Sequence, residues 1–237
     1  MTQVAASARP RAERLFYASA ALVAACIAFA GFARTYYLKS AFGTPELPAL
    51  VHAHGLVMTL WIGLFLTQVS LVAARRVDLH RRLGIAGALL AAVVVIVGIA
   101  TAIEGARRGV SPGPPPLVFL AIPIGVVLVF GIYVSAALFM RRRSDWHKRL
   151  MLIASLAVLT PAIARLPVAT LQAGGILAFL AVTDLLVIAC ASWDAVRNRR
   201  LHPAFGWGAI FLVLWQAAML AFAGSSAWMS IAKRLVA

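Results

Sequence analysis

The stretch Leu83-Gly84-Ile85-Ala86-Gly87-Ala88-Leu89-Leu90-Ala91-Ala92-Val93-Val94-Val95-Ile96-Val97-Gly98-Ile99-Ala100-Thr101-Ala102-Ile103 contains no charged residue and no proline. A hydrocarbon core about 30 Å thick takes roughly 20 apolar residues at the helical rise of about 1.5 Å, so this stretch is long enough to cross a bilayer. Working outward, comparable runs recur near residues 15–33, 49–74, 117–140, 150–168, 176–196 and 205–223. None alternates with period two, which argues for helices and against a membrane β-barrel. The expected fold class is all-α, a polytopic transmembrane helix bundle of seven spans forming one integral membrane domain over residues 1–237. Composition agrees: 63% of residues are hydrophobic, 12% are charged, and mean hydropathy is +0.94. No soluble domain needs so much apolar surface.

The formal net charge of +15 does not point to nucleic acid. Nucleic-acid binders gather cations on one solvated face or arm, whereas here they sit in the connections between apolar runs. With the N-terminus inside, one membrane side receives Arg9, Arg11, Arg14, Arg75, Arg76, Arg81 and Arg82. It also receives Arg141, Arg142, Arg143, Lys148, Arg149, Arg197, Arg199 and Arg200. The other side keeps Arg34, Lys39, Arg107, Arg108, Lys233 and Arg234. The positive-inside rule then sets the N-terminus in the cytoplasm and the C-terminus outside, in a bacterial inner (cytoplasmic) membrane. Trp146, Trp193 and Trp207 are expected as anchors at the inner interface and Trp228 at the outer one. The basic residues ahead of Leu15–Ala33 also suit a secretory signal. That run exceeds the usual 7–15 residues of a signal core, so a retained span is expected.

A weak repeat organises the connections. Asp78-Leu79-His80-Arg81-Arg82-Leu83 opens the third span, Asp145-Trp146-His147-Lys148-Arg149-Leu150 the fifth, and, more loosely, Arg200-Leu201-His202-Pro203 the seventh. One reading is topological: cations for lipid phosphates, with a carboxylate near each positive helix N-terminus. The sharper reading makes His80 and His147 the two axial ligands of one b-type haem. Bis-histidine ligation needs two imidazoles at one depth on neighbouring helices, and odd-numbered spans run parallel. Arg81 and Arg149 are candidate partners for haem propionates. His80, Gly84, Gly87, Ala91 and Gly98 share one stripe of the third span, a groove for a flat ring or for another helix.

His80-Arg81-Arg82-Leu83-Gly84 resembles the His-Arg-x-x-Gly/Ala pattern on the haem-ligating helices of haem A synthase, and His147-Lys148-Arg149-Leu150-Met151 is a looser match. The resemblance implies haem ligation by His80 and His147 and nothing more, because Asp78 is shifted and shorter than that family's catalytic acid. Over most of its length the chain also resembles a group of uncharacterised bacterial multi-pass proteins. The shared residues are Gly31-Phe32, Thr35-Tyr36-Tyr37, His52-Ala53-His54-Gly55, the two motifs above and His202-Pro203-Ala204, and that likeness implies architecture without an activity.

A second polar group is expected in the outer half: His54, Gln68, Arg165 and Asp184, with His52 alongside. His54, Met58, Trp61, Phe65 and Gln68 keep 3.6-residue spacing and share a face. Asp184 near the middle of the sixth span is costly against lipid, so it is expected to face inward and to bond Arg165, His54 or Gln68. Pro161 should kink the fifth span and free a backbone carbonyl. Cys26 and Cys190 lie at different depths, which argues against a disulfide. No metal site beyond the haem iron is expected. Phosphate loops, His-Glu-x-x-His, Gly-x-Ser-x-Gly and Cys-x-x-Cys are absent from the sequence, and the seventh span has no interior lysine for a retinal Schiff base. Two classes remain. One is a haem b redox protein exchanging electrons with a quinone or small oxidant. The other is a transporter or accessory membrane protein whose polar site binds a solute or proton.

Overall fold

The computed structural model describes residues 2–237, with side-chain surroundings from Arg11 onward, so Arg9 lies outside the described side chains. The described residues are helical with no strand. Helix α1 spans Thr2–Phe32 and runs into a π-helical turn at Ala33–Tyr37. After it come α2 (Ala49–Ala73), α3 (Val77–Arg107), the short α4 (Pro116–Phe119) and α5 (Ala121–Phe139). Then follow α6 (Ser144–Ala157), α7 (Thr160–Ile163), α8 (Ala169–Ala173), α9 (Gly175–Asn198), α10 (Pro203–Ala223) and α11 (Ser226–Val236). Six segments are long and apolar enough to cross a membrane: 11–37, 49–73, 77–107, 116–139, 175–198 and 203–223.

The expected fifth span, 150–168, is the exception. It is divided between the end of α6, the single turn of α7 and a non-helical stretch at 166–168. Pro161 is the physical reason. It has no N–H to give the Ala157 carbonyl, and the Thr160 hydroxyl takes that carbonyl instead at 3.1 Å. The same hydroxyl pairs with that of Thr183 on α9 at 2.9 Å, so the freed acceptor is satisfied inside the protein.

Although broken, α6 and α7 lie at the centre of the bundle and pack against α1, α5, α9 and α10. Leu152, Ile153, Ala154 and Ile163 are fully buried. Lys148, in the first turns of α6, pairs with Glu13 of α1, and Ala162 of α7 packs against Gly31 at the far end of α1. The two segments therefore run side by side in the same direction. A Cβ on Gly31 would stand 2.7 Å from the Ala162 carbonyl carbon, so only glycine permits this approach. The helices around the centre turn apolar stripes outward; on α3, Ile85 (71% exposed), Leu89 and Ile96 recur at helical spacing.

The C-terminal α11 has no counterpart in the expected spans. Ser225 caps it by accepting the Trp228 N–H at 3.1 Å. Trp228 and Ala232 bury one face with Leu120, Ala121, Ile124 and Ala223, leaving Lys233 and Arg234 in the last turn. Trp228 is thus no lipid-facing anchor. It is 5% exposed, and its indole N–H donates to the Leu117 carbonyl at 2.7 Å.

Candidate functional site

His80 and His147 each occupy the fourth position of their helix, since α3 begins at Val77 and α6 at Ser144. Each backbone N–H reaches the residue just before the helix, Arg76 or Arg143, at 3.0 Å. With the helices parallel, this equal offset brings the two imidazoles together. Their ring centres are 6.2 Å apart and their planes 80° from one another. Ala137 lies in the last turn of α5, where carbonyls lack in-helix donors, and its oxygen is 2.8 Å from His147 Nδ1. A carbonyl only accepts, so Nδ1 carries the hydrogen, and in the neutral ring the lone pair is then on Nε2. His80 Nδ1 is buried without a hydrogen-bond partner. One ring is therefore held in a fixed tautomer by a backbone acceptor, as in metal-ligating histidines, and the other carries an orphaned nitrogen. That pair fits the donor set of a bis-histidine iron.

The glycine stripe beside His80 is used for packing. A Cβ on Gly87 would lie 3.1 Å from Leu64 of α2, and one on Gly98 would lie 2.7 Å from Val127 of α5. Gly87, Ala91 and Gly98 are buried by helices. The stripe thus lets α2 and α5 approach and leaves no long groove for a flat ring. Any planar group held by the histidines would have to lie at the mouth of the bundle, where Arg81 and Arg82 are exposed.

Arg149 has a different set of partners from the expected one. Its Nε and Nη2 donate to Asp194 of α9 at 3.1 and 2.6 Å, and its Nη1 donates to the Asp145 carbonyl at 2.7 Å. Both side chains are buried, at 5% and 1% exposure. The bidentate pair ties α6 to α9 and keeps Arg149 within the protein. His202 is likewise structural. Its Nδ1 accepts the Ala204 N–H at 3.1 Å, capping α10, so its Nε2 carries the hydrogen and donates to Asp145 Oδ2 at 3.1 Å. Burial works to raise the Asp145 carboxyl, but hydrogen bonds from His202 and from the Asp145 and Trp146 N–H groups outweigh it and hold the group below its ordinary range. Lys148 pairs with Glu13 and lies 5.8 Å from the Tyr17 ring. Trp193 stacks on Phe16 at 3.8 Å, and Trp207 is exposed.

The expected outer group separates into three places. Trp61 and Phe65 are buried, so the α2 face that carries His54 and Gln68 does turn inward. His54 and Gln68 are nonetheless about 21 Å apart along that helix. Gln68 sits at the His80 end, its amide 3.7 Å from where a Gly84 Cβ would lie, and its Oε1 is buried without a partner. His54 is at the opposite end, also with a partnerless Nδ1. Arg165 donates to the Pro161 carbonyl at 2.8 Å and stands 4.8 Å from the Phe32 ring centre. Asp184 bonds none of the three expected partners; Gln216 Nε2 of α10 donates to its Oδ1 at 3.0 Å. The reason is helix adjacency: α9 packs against α10, α7 and α6, so Asp184 meets α10. Among the described residues no group of three or more His, Cys, Asp or Glu side chains comes together as a metal site.

Sequence reasoning missed Asp194 and Gln216. Asp194 follows Trp193 and precedes Arg197, which reads as a polar helix end at the interface. Only the phase of α9 against α6 shows that it turns inward. Comparisons with protein-family models, curated proteins and solved structures find no match.

Proposed function

We propose that this chain is a seven-span inner-membrane protein, N-terminus in and C-terminus out, that holds one b-type haem between His80 and His147. In this reading it exchanges electrons with a quinone or a small oxidant. The observation that carries the proposal is the 6.2 Å separation of the two ring centres. Two imidazoles sharing one iron through bonds of about 2 Å each place their ring centres roughly 6 Å apart. The fixed tautomer of His147 and the orphaned nitrogen of His80 support it further. Haem would supply one-electron chemistry here. The protein's part is to present both imidazoles at one depth and to offer Arg81 to the propionates at the mouth of the bundle. The likeness to the haem A synthase motif belongs to the same reading, and it extends to haem ligation alone.

In this reading the α6–α7 segment is the span that is fifth in chain order and completes the seven. It starts beside Glu13 and ends beside Gly31, so it covers the depth that α1 covers. Its fifth-span register then returns every basic cluster to one side, as the positive-inside rule requires.

The test is an optical spectrum of protein purified in mild detergent from haem-replete cells. A Soret band with reduced-minus-oxidised b-type bands is expected, and His80→Ala and His147→Ala should each abolish the low-spin spectrum. Absence of a Soret band from folded wild-type protein refutes the proposal.

A further inference from the structure

Two buried side-chain atoms stand without hydrogen-bond partners at the same end of the α2–α3 hairpin: Nδ1 of His80 on α3 and Oε1 of Gln68 on α2. The packing of the hairpin relates them. Leu64 lies 3.1 Å from where a Gly87 Cβ would stand, and the Gln68 amide nitrogen lies 3.7 Å from the corresponding position at Gly84. Four residues further along α2 and four back along α3, this ladder sets Val72 opposite His80. Val72 has no polar side-chain atom, so the first side-chain acceptor that α2 offers the His80 ring is one turn deeper, at Gln68.

The distance is within the reach of a glutamine. Residues four apart on a helix bring their Cβ positions to about 5–6 Å, and Gly84 is four residues from His80 on the same face. No other side chain from a packed helix comes within 4 Å of the Gly84 Cβ position, so there is room beside it for the amide to turn. A buried polar atom left unpaired is costly. Rotation of the Gln68 side chain from Gly84 toward His80 gives both atoms their partner in one movement.

The chemistry of a ligating imidazole fixes the direction of the bond. A neutral ring that presents its Nε2 lone pair to iron carries its hydrogen on Nδ1, and that hydrogen needs an acceptor. The Ala137 carbonyl is the acceptor for His147. For His80 the oxygen of the Gln68 amide can serve and its nitrogen cannot. We propose that Gln68 is the positioning residue of His80: its side-chain carbonyl accepts the Nδ1 hydrogen and so leaves Nε2 as the ligating atom. The inference rests on the haem reading above for what Nε2 binds, and on the α2–α3 packing for the hydrogen bond itself.

The experiment is nuclear magnetic resonance of the full chain in detergent, isotope-labelled at the ring nitrogens of its five histidines, with His80 assigned by the signals lost in His80→Gln. In haem-free protein, His80 should be the Nδ1–H tautomer. Gln68→Met keeps the length of the side chain, removes the acceptor and should move the ring to Nε2–H; Gln68→Glu should restore Nδ1–H. Val72→Met alters packing opposite His80 without touching the acceptor and should leave the tautomer as it is. In haem-loaded protein, Gln68→Met should lose haem to apomyoglobin faster by roughly ten- to a hundredfold. It should also raise the midpoint potential, whereas Gln68→Glu should lower it, because a stronger acceptor makes the imidazole a better donor to ferric iron. An unchanged tautomer in Gln68→Met, a failed rescue by Gln68→Glu, or the same change in Val72→Met overturns the proposal. So do haem loss and potential that match the wild type in Gln68→Met. A tautomer that follows residue 68 in a chain that binds no haem would refute the haem reading alone, because the hydrogen bond is read without the iron.

Discussion

Replacing Asp194 with leucine removes the carboxylate of a bidentate pair whose members are 1% and 5% exposed. The Arg149 guanidinium is then left in the protein interior with only the Asp145 carbonyl at 2.7 Å. An ion pair this deep is worth little against an apolar replacement of both partners, yet breaking one side strands a charge at a cost of about 3–5 kcal/mol. The double variant Arg149→Met/Asp194→Leu strands nothing and should cost less than about 2 kcal/mol. The coupling in a double-mutant cycle should therefore be large, on the order of 2 kcal/mol or more. Reversible unfolding in mixed detergent, followed by tryptophan fluorescence, measures all four corners of the cycle. An Asp194→Leu cost below about 1 kcal/mol, or additive single effects, would refute the claim that this pair is buried and mutually dependent.

Gly31→Ala places a Cβ 2.7 Å from the Ala162 carbonyl carbon and should destabilise by about 1–3 kcal/mol in the same assay, because a backbone neighbour cannot rotate aside. Thr160→Val removes the hydroxyl that serves both Ala157 and Thr183, and should cost about 1–3 kcal/mol for the buried acceptor left behind. Asp145 is held below its ordinary range, so its stabilising contribution is present above about pH 4 and is lost as pH falls through the lowered value. The stability difference between wild type and Asp145→Asn should accordingly shrink toward zero in strong acid; a difference that grows there would contradict the sign. Reporter fusions after Arg76 and after Arg143 should read cytoplasmic and one after Lys233 external, and a cytoplasmic C-terminus would remove one span from the count.

Hydropathy made the helices legible, and the equal offset of His80 and His147 after their acidic residues made their meeting legible, because parallel helices convert sequence offset into depth. Helix adjacency was not legible. Asp184 has the cost of a mid-span carboxylate written in the sequence, but whether α2, α6 or α10 answers it depends on packing that a single chain does not display. Gln68 was misplaced for a simpler reason: it shares a face with His54, and a shared face says nothing about shared depth. The α11 helix left a readable signal, a Ser225 cap followed by Trp228, Ala232 and Leu235 at helical spacing. Its amphipathic pattern is too short to resemble a span and is easily passed over as a tail.

The central position of α6 bears on how the protein is made. Protein surrounds the segment from Arg149 to Ile163 on nearly every side, so its neighbours rather than lipid set what it must contain. That freedom accounts for a central segment that opens on Ser144-Asp145-Trp146-His147-Lys148-Arg149 and breaks at Pro161. A segment of that kind partitions poorly into lipid alone. Where it spans a membrane, its insertion should depend on hairpin formation with α5, the largely apolar helix that is its principal packing partner. The same arrangement divides the chain by tolerance to change. The outer stripe of α3 accepts most apolar exchanges, whereas α6 admits few on any face, and sequence drift should be slowest along the helix that looks least like a membrane helix.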